Sequence, residues 1–559
     1  MRIPGCKMFL EKEVPCRQIN LNGRRVVVDG QNFFYAKYED FKLEFRFGSE
    51  CDKYAEFLRG ELQAFQRAGI TCLFVFKGGH NKMPRRPCAH LPPAPPLLAS
   101  EVHKQLLDEM GFEYTVCDYT ANDDCVALAR SLHCPILANN VEYFFAGIQY
   151  IPYTNLNYST VRANQYELNS LLTKYKIDNK QVATFLALFD VKVFNLETLE
   201  NLLRRLHLPL SYAKRIDSFL RWLGHEGQCA ATLISRNLAT DDRNKLQSEI
   251  ERKLENVVEK RSSGGLAAQY FLDRDRCRIG VADPEWFEKG VALKFIPIPY
   301  INIYRWRIVE VYDNDDPLLV AAPIIRYAFD LLTNFCNEKI LVKIEPRQPQ
   351  SSEGVNIESC PEASIEIVQS VRRPNYGSGN VFENGWNDIG SFKLFEHFLW
   401  EILGISEWGR LERAPDDARL VVVALVYAAR LGGGAAARGV THAALLCHAL
   451  LAAPGAGPRS AARLLMDTYL CGTDEDVEQS VLVAVQQLQH CLRHINFLNV
   501  MCGSPLPPTL YSSSFNATFV YRAARGLRGE HPPPPAAPPA LRSYLDNILD
   551  IYEHFLNFL

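Results

Sequence analysis

The sequence RRVVVDG at residues 24–30 and the sequence TCLFVFKGG at residues 71–79 decide the fold of the N-terminal part of this chain. Each is a run of β-branched or aromatic residues that ends in glycine, which predicts a buried strand. Residues 54–68, between them, have the apolar spacing of an amphipathic helix. Together they predict a strand-helix-strand unit and therefore a parallel sheet.

The same alternation of strands and helices continues to about residue 152. The sequence predicts a helix over 101–110, a strand in EYTVCDY at 113–119, a helix over 123–132 and a strand in CPILANN at 134–140. The Pro-rich residues 78–96 predict an irregular loop. The fold class expected here is α/β, with a mostly parallel sheet.

The rest of the chain is expected to form three further parts, which makes four domains or regions in all. They are an α/β domain at 1–155, a helical extension at 156–226, a mixed α/β middle region at 227–385 and a helical C-terminal region at 386–559. Strands are expected in the middle region in VALKFIPI, WRIVEVY and ILVKIE. Linkers or loops are expected where Gly, Ala and Pro dominate, at 432–439, at 452–462 and from His531 onward.

Composition narrows the class of protein. The chain has 559 residues, 61 Lys plus Arg against 64 Asp plus Glu, and a formal charge of -3, so that any nucleic-acid surface must be local. Charged residues near the N-terminus argue against a signal peptide. The longest apolar run, Leu420–Ala429, is too short to span a membrane and predicts a buried helix. Sixteen cysteines without zinc-ligand spacing suit reduced thiols, so we expect an intracellular protein of the cytoplasm or nucleus without a membrane partner.

Ligands of parallel α/β sheets gather at the carboxyl ends of the strands, so the residues at those ends are the candidate site. In this chain the candidates mix acids, amides and lysine, and they are Asp29, Lys77, Asn139, Asn140 and Glu142, with Thr120, Asn122, Asp123 and Asp124 at a helix start. Two structural readings stay open. Asp29 followed by Gly30 is also a common turn pair, and Asp123 and Asp124 are favoured at a helix N-terminus without any chemistry.

These segments resemble a known family. VVVDGQNFFY, GITCLFVFKGG, ANDDCVALA, CPILANNVEYFFAGIQYIPY, WRIVEVYDNDDP and the near-terminal FNATFVY are similar to segments of the flap-endonuclease and XPG-type nucleases, and more closely of their asteroid branch. The resemblance extends over nearly the whole chain. It implies a PIN-like, flap-endonuclease-type parallel sheet followed by helical regions.

The resemblance also implies a site of about six or seven carboxylates that hold two divalent cations, normally Mg²⁺. This chain keeps a carboxylate at Asp29 and Glu142, with Asp123 and Asp124 beside a third position. The family positions without a carboxylate carry Lys77, Thr120, Asn122, Asn140 and Lys192, the last with Asp190 two residues away. A lysine repels a nearby metal, so we expect it to pair with Asp29, while a weak Mg²⁺ site at Asp29 and Glu142 stays open.

Basic residues are the candidates for contact with nucleic acid. They are Lys77 at a strand end, Lys192 in the helical segment that follows the sheet, and Lys82, Arg85 and Arg86 in the Pro-rich loop, where related enzymes carry a helical arch. Solvated lysine is the alternative for each. The family's helix-turn-helix corresponds to residues 208–223, which contain no glycine but retain Lys214 and Arg215.

Two functions follow from the resemblance. The first is a pseudo-nuclease that serves as an interaction or weak DNA- or RNA-binding module, with a signalling protein as partner and a link to EGF receptor signalling. The second is a metal-dependent, structure-specific nuclease that acts on DNA ends or flaps through Asp29, Glu142, Asp123 and Asp124. Mg²⁺ would be the cofactor of the second only.

Overall fold

The computed structural model divides the chain into two compact units. Unit 1 comprises Met1–Lys37, Gly60–Lys77 and Phe112–Arg276, and unit 2 comprises Tyr38–Arg59, Gly78–Gly111 and Cys277–Leu559. The structure describes residues 3–557 except 44–46, 49, 81–94, 256–263, 274–284, 312–315, 345–363, 369–380, 384–385, 387, 433, 453–460, 471–476 and 528–538. The division into parts at residues 155, 226 and 385 stays a prediction.

The described helices and strands are numbered in chain order. The strands are β1 Cys16–Asn20, β2 Arg25–Asp29, β3 Thr71–Phe76, β4 Glu113–Val116, β5 Ile136–Leu137, β6 Tyr150–Ile151, β7 Leu156–Asn157, β8 Arg162–Tyr166, β9 Ile308–Val311, β10 Ile340–Ile344 and β11 Ser364–Val368. The helices of the first half are α1 Cys6–Glu13, α2 Gly30–Phe41, α3 Cys51–Arg67, α4 Ala99–Glu109, α5 Ala121–Leu132, α6 Glu142–Phe145, α7 Leu168–Tyr175, α8 Asn179–Phe189, α9 Leu196–Arg205, α10 Tyr212–Glu226, α11 Cys229–Arg236, α12 Thr240–Lys253 and α13 Leu266–Leu272. Those of the second half are α14 Trp286–Ala292, α15 Ile298–Trp306, α16 Ala322–Leu332, α17 Leu394–Leu403, α18 Trp408–Leu411, α19 Asp416–Leu431, α20 Gly434–Ala452, α21 Ala461–Leu470, α22 Gln479–Met501, α23 Ala517–Leu527 and α24 Pro539–Asn557.

Unit 1 is built on a sheet with the strand order β1-β8-β6-β5-β2-β3-β4, with β7 paired to β8. The strands β6, β5, β2, β3 and β4 are parallel to their neighbours, and β8 and β1 are antiparallel additions at one edge. The parallel α/β fold predicted from the sequence is therefore confirmed. Because the central strands run in one direction, their carboxyl ends lie along one edge of the sheet.

The apolar runs form the central strands for the expected reason. Val26, Val27 and Val28 of β2 are completely buried, as a strand covered on both faces requires. Gly30 begins α2, and a Cβ atom there would lie 2.8 Å from the ring of Phe76. The reading of Asp29-Gly30 as a turn is wrong, because glycine is needed here for close packing between a helix and a strand.

Unit 2 contains the helices α14–α24 and a small sheet with the order β11-β10-β9. The strands expected in WRIVEVY and ILVKIE are present as β9 and β10, whereas VALKFIPI, residues 291–298, runs from the end of α14 to the start of α15. That strand prediction was wrong, since a short apolar run cannot be told from a buried helical segment by its period. Residues 434–439, expected as a loop, belong to α20, because alanine favours a helix wherever packing supports it.

The helix α20 is long and apolar enough to span a membrane, the one such helix in the described part of the chain, and 67% of its most apolar window is buried inside the protein. It packs against α19, α22, α23 and α24. A helix that is apolar on all sides is expected at the centre of a helical core. The helix predicted over Leu420–Ala429 lies within α19 and is buried as expected.

Two segments from the N-terminal half of the sequence belong to unit 2. Glu101 of α4 forms an ion pair with Arg493 of α22 at 2.9 Å, and Asp52 of α3 forms one with Arg463 of α21 at 2.6 Å. The side chain of Gln105 also donates to the carbonyl of Thr509 at 2.7 Å. The C-terminal helices therefore hold α4 and the start of α3 through buried polar bonds as well as apolar packing.

Candidate strand-end site

The candidate site is the edge of unit 1 where the parallel strands end. Asp29 ends β2, Lys77 follows β3, and Asn139 and Asn140 follow β5. The helix α5 begins after Thr120, so that Asn122 and Asp123 lie in its first turn. The short helix α6 begins at Glu142. The sequence thus correctly places these residues at the ends of their strands and helices.

Asp29 is almost completely buried and bonded through both carboxylate oxygens. Oδ1 accepts from the backbone N–H of Asn32 at 3.0 Å, and Oδ2 accepts from the Tyr143 hydroxyl at 2.8 Å. Burial raises the pKa of Asp29 and nearby Glu142 raises it further, while these hydrogen bonds lower it. Its partners among the described residues include no lysine, so the expected Lys77–Asp29 pair is wrong.

The other strand-end residues form an amide network around Glu142. The Asn122 amide donates to Glu142 Oε2, and the Asn140 amide donates to Asn122 Oδ1 at 3.3 Å. Asn140 Oδ1 in turn accepts from the backbone N–H of Glu142 at 3.1 Å. A neutral amide thus donates to the Glu142 carboxylate, and a second amide holds that donor in place.

Asp124 has a structural role. Its Oδ1 accepts from the backbone N–H groups of Gly265 and Ala268, at 2.6 and 3.0 Å, at the start of α13. This is a helix cap supplied from a distant part of the chain. A Cβ atom at Gly265 would lie 3.2 Å from the same oxygen, so glycine permits the close approach. Asp123 is half-buried beside it.

The Asp190 carboxylate forms an ion pair with a lysine that nothing in the sequence near Asp190 indicates. Its Oδ2 accepts from Lys253 Nζ at 2.7 Å, and both side chains are only 3% exposed. The backbone N–H of Lys192 donates to Oδ1 at 3.2 Å, while the Lys192 side chain is exposed. Lysine does neutralise a carboxylate in this region, but the pair is Lys253 with Asp190.

These residues do not fit a centre for two divalent cations. Within the described ranges, the structure brings together no group of three or more His, Cys, Asp or Glu side chains that could hold a metal. Two ions carry four positive charges, and Asp29 and Glu142 alone cannot neutralise them. A single Mg²⁺ at this pair would compete with the Asn122 amide for Glu142 and with the Tyr143 hydroxyl for Asp29. A Mg²⁺ site at this pair stays a prediction.

The replacement Asn122→Asp tests the amide network. It removes the donor to Glu142 and places two carboxylates in contact, so we expect the free energy of unfolding at pH 7 without metal to fall by about 1–3 kcal/mol. We also expect Mg²⁺ or Mn²⁺ to raise the melting temperature of this variant. The measurement is thermal and urea unfolding, with exposed Asn22→Asp as the control. A rise in the wild-type melting temperature with Mg²⁺ would contradict the assignment.

The proposed nucleic-acid residues are placed unevenly. Lys77 is half-buried, and burial lowers the pKa of its ammonium group. Lys82, Arg85 and Arg86 lie outside the described residues. In the helix-turn-helix region Lys214 is exposed, but Arg215 is only 1% exposed and does not present its charge to solvent.

Sequence reasoning missed two important side chains, Tyr143 and Lys253. Tyr143 follows Glu142 directly in α6, so its hydroxyl could have been considered from its place beside a candidate residue. Lys253 is 63 residues from Asp190 and carries no local signal.

A profile of the asteroid N-terminal domain matches residues 464–559. The mouse protein named single-strand DNA endonuclease ASTE1 is 20% identical over 96% of this chain and 87% of its own length. The Drosophila protein asteroid is 25% identical over 30% of this chain and 22% of its own length. Over these stretches the chain is similar to members of the asteroid family.

Solved structures similar to this chain include nucleases. Human GEN1 in complex with Holliday junction DNA is 14% identical, covers 74% of this chain and 99% of its own, and has a TM-score of 0.31. Flap endonuclease-1 from Methanococcus jannaschii is 15% identical, covers 45% and 98%, and has a TM-score of 0.27. The fold assignment rests on the strand order of unit 1, since TM-scores this low add nothing to it.

Proposed function

We propose that this chain is an asteroid-family pseudo-nuclease that binds single-stranded nucleic acid without cleaving it. The observation that carries the proposal is the use of the strand-end carboxylates: Asp29 accepts from Tyr143, and Glu142 accepts from Asn122. The name of the mouse relative, a single-strand DNA endonuclease, supports single-stranded DNA as the ligand.

The proposal has a simple electrostatic basis. A phosphoryl-transfer site of this kind needs metal ions that orient a water molecule and stabilise the charge that develops on phosphate. Neutral hydroxyl and amide donors satisfy a carboxylate without adding positive charge. Such a site can lie beside a nucleic-acid strand, but the residues described there include no cluster of metal ligands that would activate an attacking water molecule.

A cleavage assay tests the proposal. Purified protein is incubated with flap, overhang and single-stranded DNA in Mg²⁺ or Mn²⁺, beside an Asp29→Ala variant, and binding is measured in EDTA. We expect no cleavage above the level of the variant, and we expect binding of single-stranded DNA to persist without metal. Cleavage by the wild-type protein that is lost in Asp29→Ala would overturn the pseudo-nuclease.

The second candidate function is a metal-dependent nuclease acting on DNA ends or flaps. It is favoured by the alignment with the mouse relative over 96% of this chain. It would use Asp29, Glu142 and Asp123, with Asp124 released from its cap on α13. The same assay distinguishes the two functions. The link to EGF receptor signalling, a signalling partner and an intracellular location stay predictions.

A further inference from the structure

An open cleft of about 520 Å³ lies between α1 and the loop that follows β5, beside the amide network. Its volume is within the range of about 300–1,000 Å³ that is typical of small-ligand sites. The lining combines polar and apolar residues: Ile3, Gly5, Cys6, Lys7, Met8, Glu11, Asn139, Asn140 and Val141.

The polar groups of the cleft are mainly donors. Lys7 Nζ donates to Asn139 Oδ1 at 3.1 Å, and as an ammonium group it has two further protons to donate. The Asn139 amide nitrogen has no partner among the described residues. The Lys7 ammonium group and the Asn139 amide could therefore donate to a ligand with several acceptor atoms.

Glu11 is the acidic residue in the lining, and it is directed elsewhere. Its Oε1 accepts from the Thr154 hydroxyl at 2.6 Å and forms a longer ion pair with Lys7 Nζ, at 4.0 Å, which is beyond hydrogen-bond distance. Lys7 therefore keeps the capacity to bind an anion. Glu11 nevertheless weakens the positive potential of the cleft, so replacing it with a neutral residue should strengthen the binding of an anion.

We propose that this cleft binds one unpaired, phosphate-bearing nucleotide of single-stranded nucleic acid. Lys7 and the Asn139 amide would donate to phosphate oxygens, and the sugar or base would contact Met8, which is 56% exposed, and Val141. The bases of a duplex are stacked inside it and cannot reach such apolar residues. The inference rests on the proposed function and names where the strand is held.

The cleft also explains how a strand would reach the strand-end network. Asn140 lines the cleft and donates to Asn122, which donates to Glu142. A nucleotide in the cleft would therefore lie next to the amide network around Glu142. Its neighbours there are amides, which do not repel phosphate as carboxylates would.

The test is binding of a fluorescent single-stranded oligonucleotide to the full chain in EDTA, over a range of salt concentrations. We expect Lys7→Gln to weaken binding about fivefold at 0.1 M salt and to reduce the slope of log K against log salt by about 0.7. Glu11→Gln should strengthen binding by a few-fold. Lys12→Gln is the matched control, because Lys12 is exposed on the same helix but does not line the cleft.

Each outcome bears on the assignment. Equal effects of Lys7→Gln and Lys12→Gln, or no effect of Lys7→Gln, would overturn the assignment of the cleft as the binding site. The proposed function would remain intact. A wild-type chain that binds no oligonucleotide would overturn both. A duplex of the same sequence should show no dependence on Lys7, and equal dependence would refute recognition of an unpaired nucleotide. If the cleft bound inorganic phosphate but not the oligonucleotide, it would be an anion site that does not hold a strand, and this result would also count against the proposal.

Discussion

Replacing Asp190 by alanine is expected to lower the free energy of unfolding by about 3–5 kcal/mol, because it leaves Lys253 buried without its partner. The two side chains are each 3% exposed, and Lys253 donates to Asp190 Oδ2 at 2.7 Å. Removing one member of a buried ion pair exposes the full desolvation penalty of the other. Urea unfolding at pH 7 measures the effect.

Two further variants separate the ion pair from a metal-ligand role. Combining Asp190→Ala with Lys253→Met should recover much of the lost stability, since an apolar side chain then occupies the buried position. Exposed Asp241→Ala, at the start of α12, should cost about 1 kcal/mol or less. If Mg²⁺ stabilised the wild-type chain but not Asp190→Ala, Asp190 would be a ligand instead of a structural partner.

The replacement Arg493→Met is the second variant with a large expected effect, about 3 kcal/mol of unfolding free energy at pH 7. Glu101 Oε1 accepts from Arg493 at 2.9 Å, and Glu101 Oε2 lies 2.7 Å from Lys104 Nζ. Burial by itself would raise the pKa of Glu101, but Lys104 and Arg493 outweigh it and bring the pKa to about 2. The variant would leave the carboxylate with one cationic partner, Lys104, and the Ser100 hydroxyl, which donates to Oε1 at 3.3 Å.

The pH dependence provides a second measurement. The folded pKa of Glu101 lies below its ordinary value of 4.5, so its stabilisation is complete above pH 4.5 and is lost as the pH falls toward about 2. Burial lowers the pKa of His103 and His490 from 6.5 to about 3. The unfolded chain therefore binds protons at these histidines more readily than the folded chain, and stability falls as the pH drops below 6.5. We therefore expect steep acid unfolding of the wild-type chain. The loss below pH 4.5 should be shallower in Arg493→Met.

The matched control is Arg59→Met. Arg59 also pairs with a glutamate of α4, Glu109, at 2.6 Å, but both side chains are more than a third exposed. Solvent screens such a pair, so the variant should cost no more than about 1 kcal/mol. Equal losses from Arg59→Met and Arg493→Met would show that α4 is not held mainly by the Glu101–Arg493 pair.

The ion pair of Glu101 also explains why sequence order is a poor guide to the units of this protein. The period of α4 and its place between two strands indicate a helix of the N-terminal α/β domain, and the helix is present. Two of its polar bonds, however, run to Arg493 and Thr509, about 400 residues away. The hydrophobic period gives the existence of a helix, but not the distant surface against which it packs.

The sequence by itself determined the parallel α/β core, and it predicted the loss of metal ligands. Buried strands such as β2 and β3 are visible as apolar runs, because burial on both faces leaves few polar positions. Lys77, Asn122 and Asn140 are visible at their family positions for the same local reason, since a strand fixes which residue stands at its end.

Only the tertiary structure decided what the remaining carboxylates do. Asp29 bonds with Tyr143, Asp124 caps a helix 141 residues away, and Asp190 pairs with Lys253. Such partners depend on how distant elements pack, and packing leaves no periodic signal in the chain. The physical reason is that a buried charge must find a donor wherever the fold supplies one. The count of carboxylates is therefore a property of the sequence, whereas their availability to metal is a property of the fold.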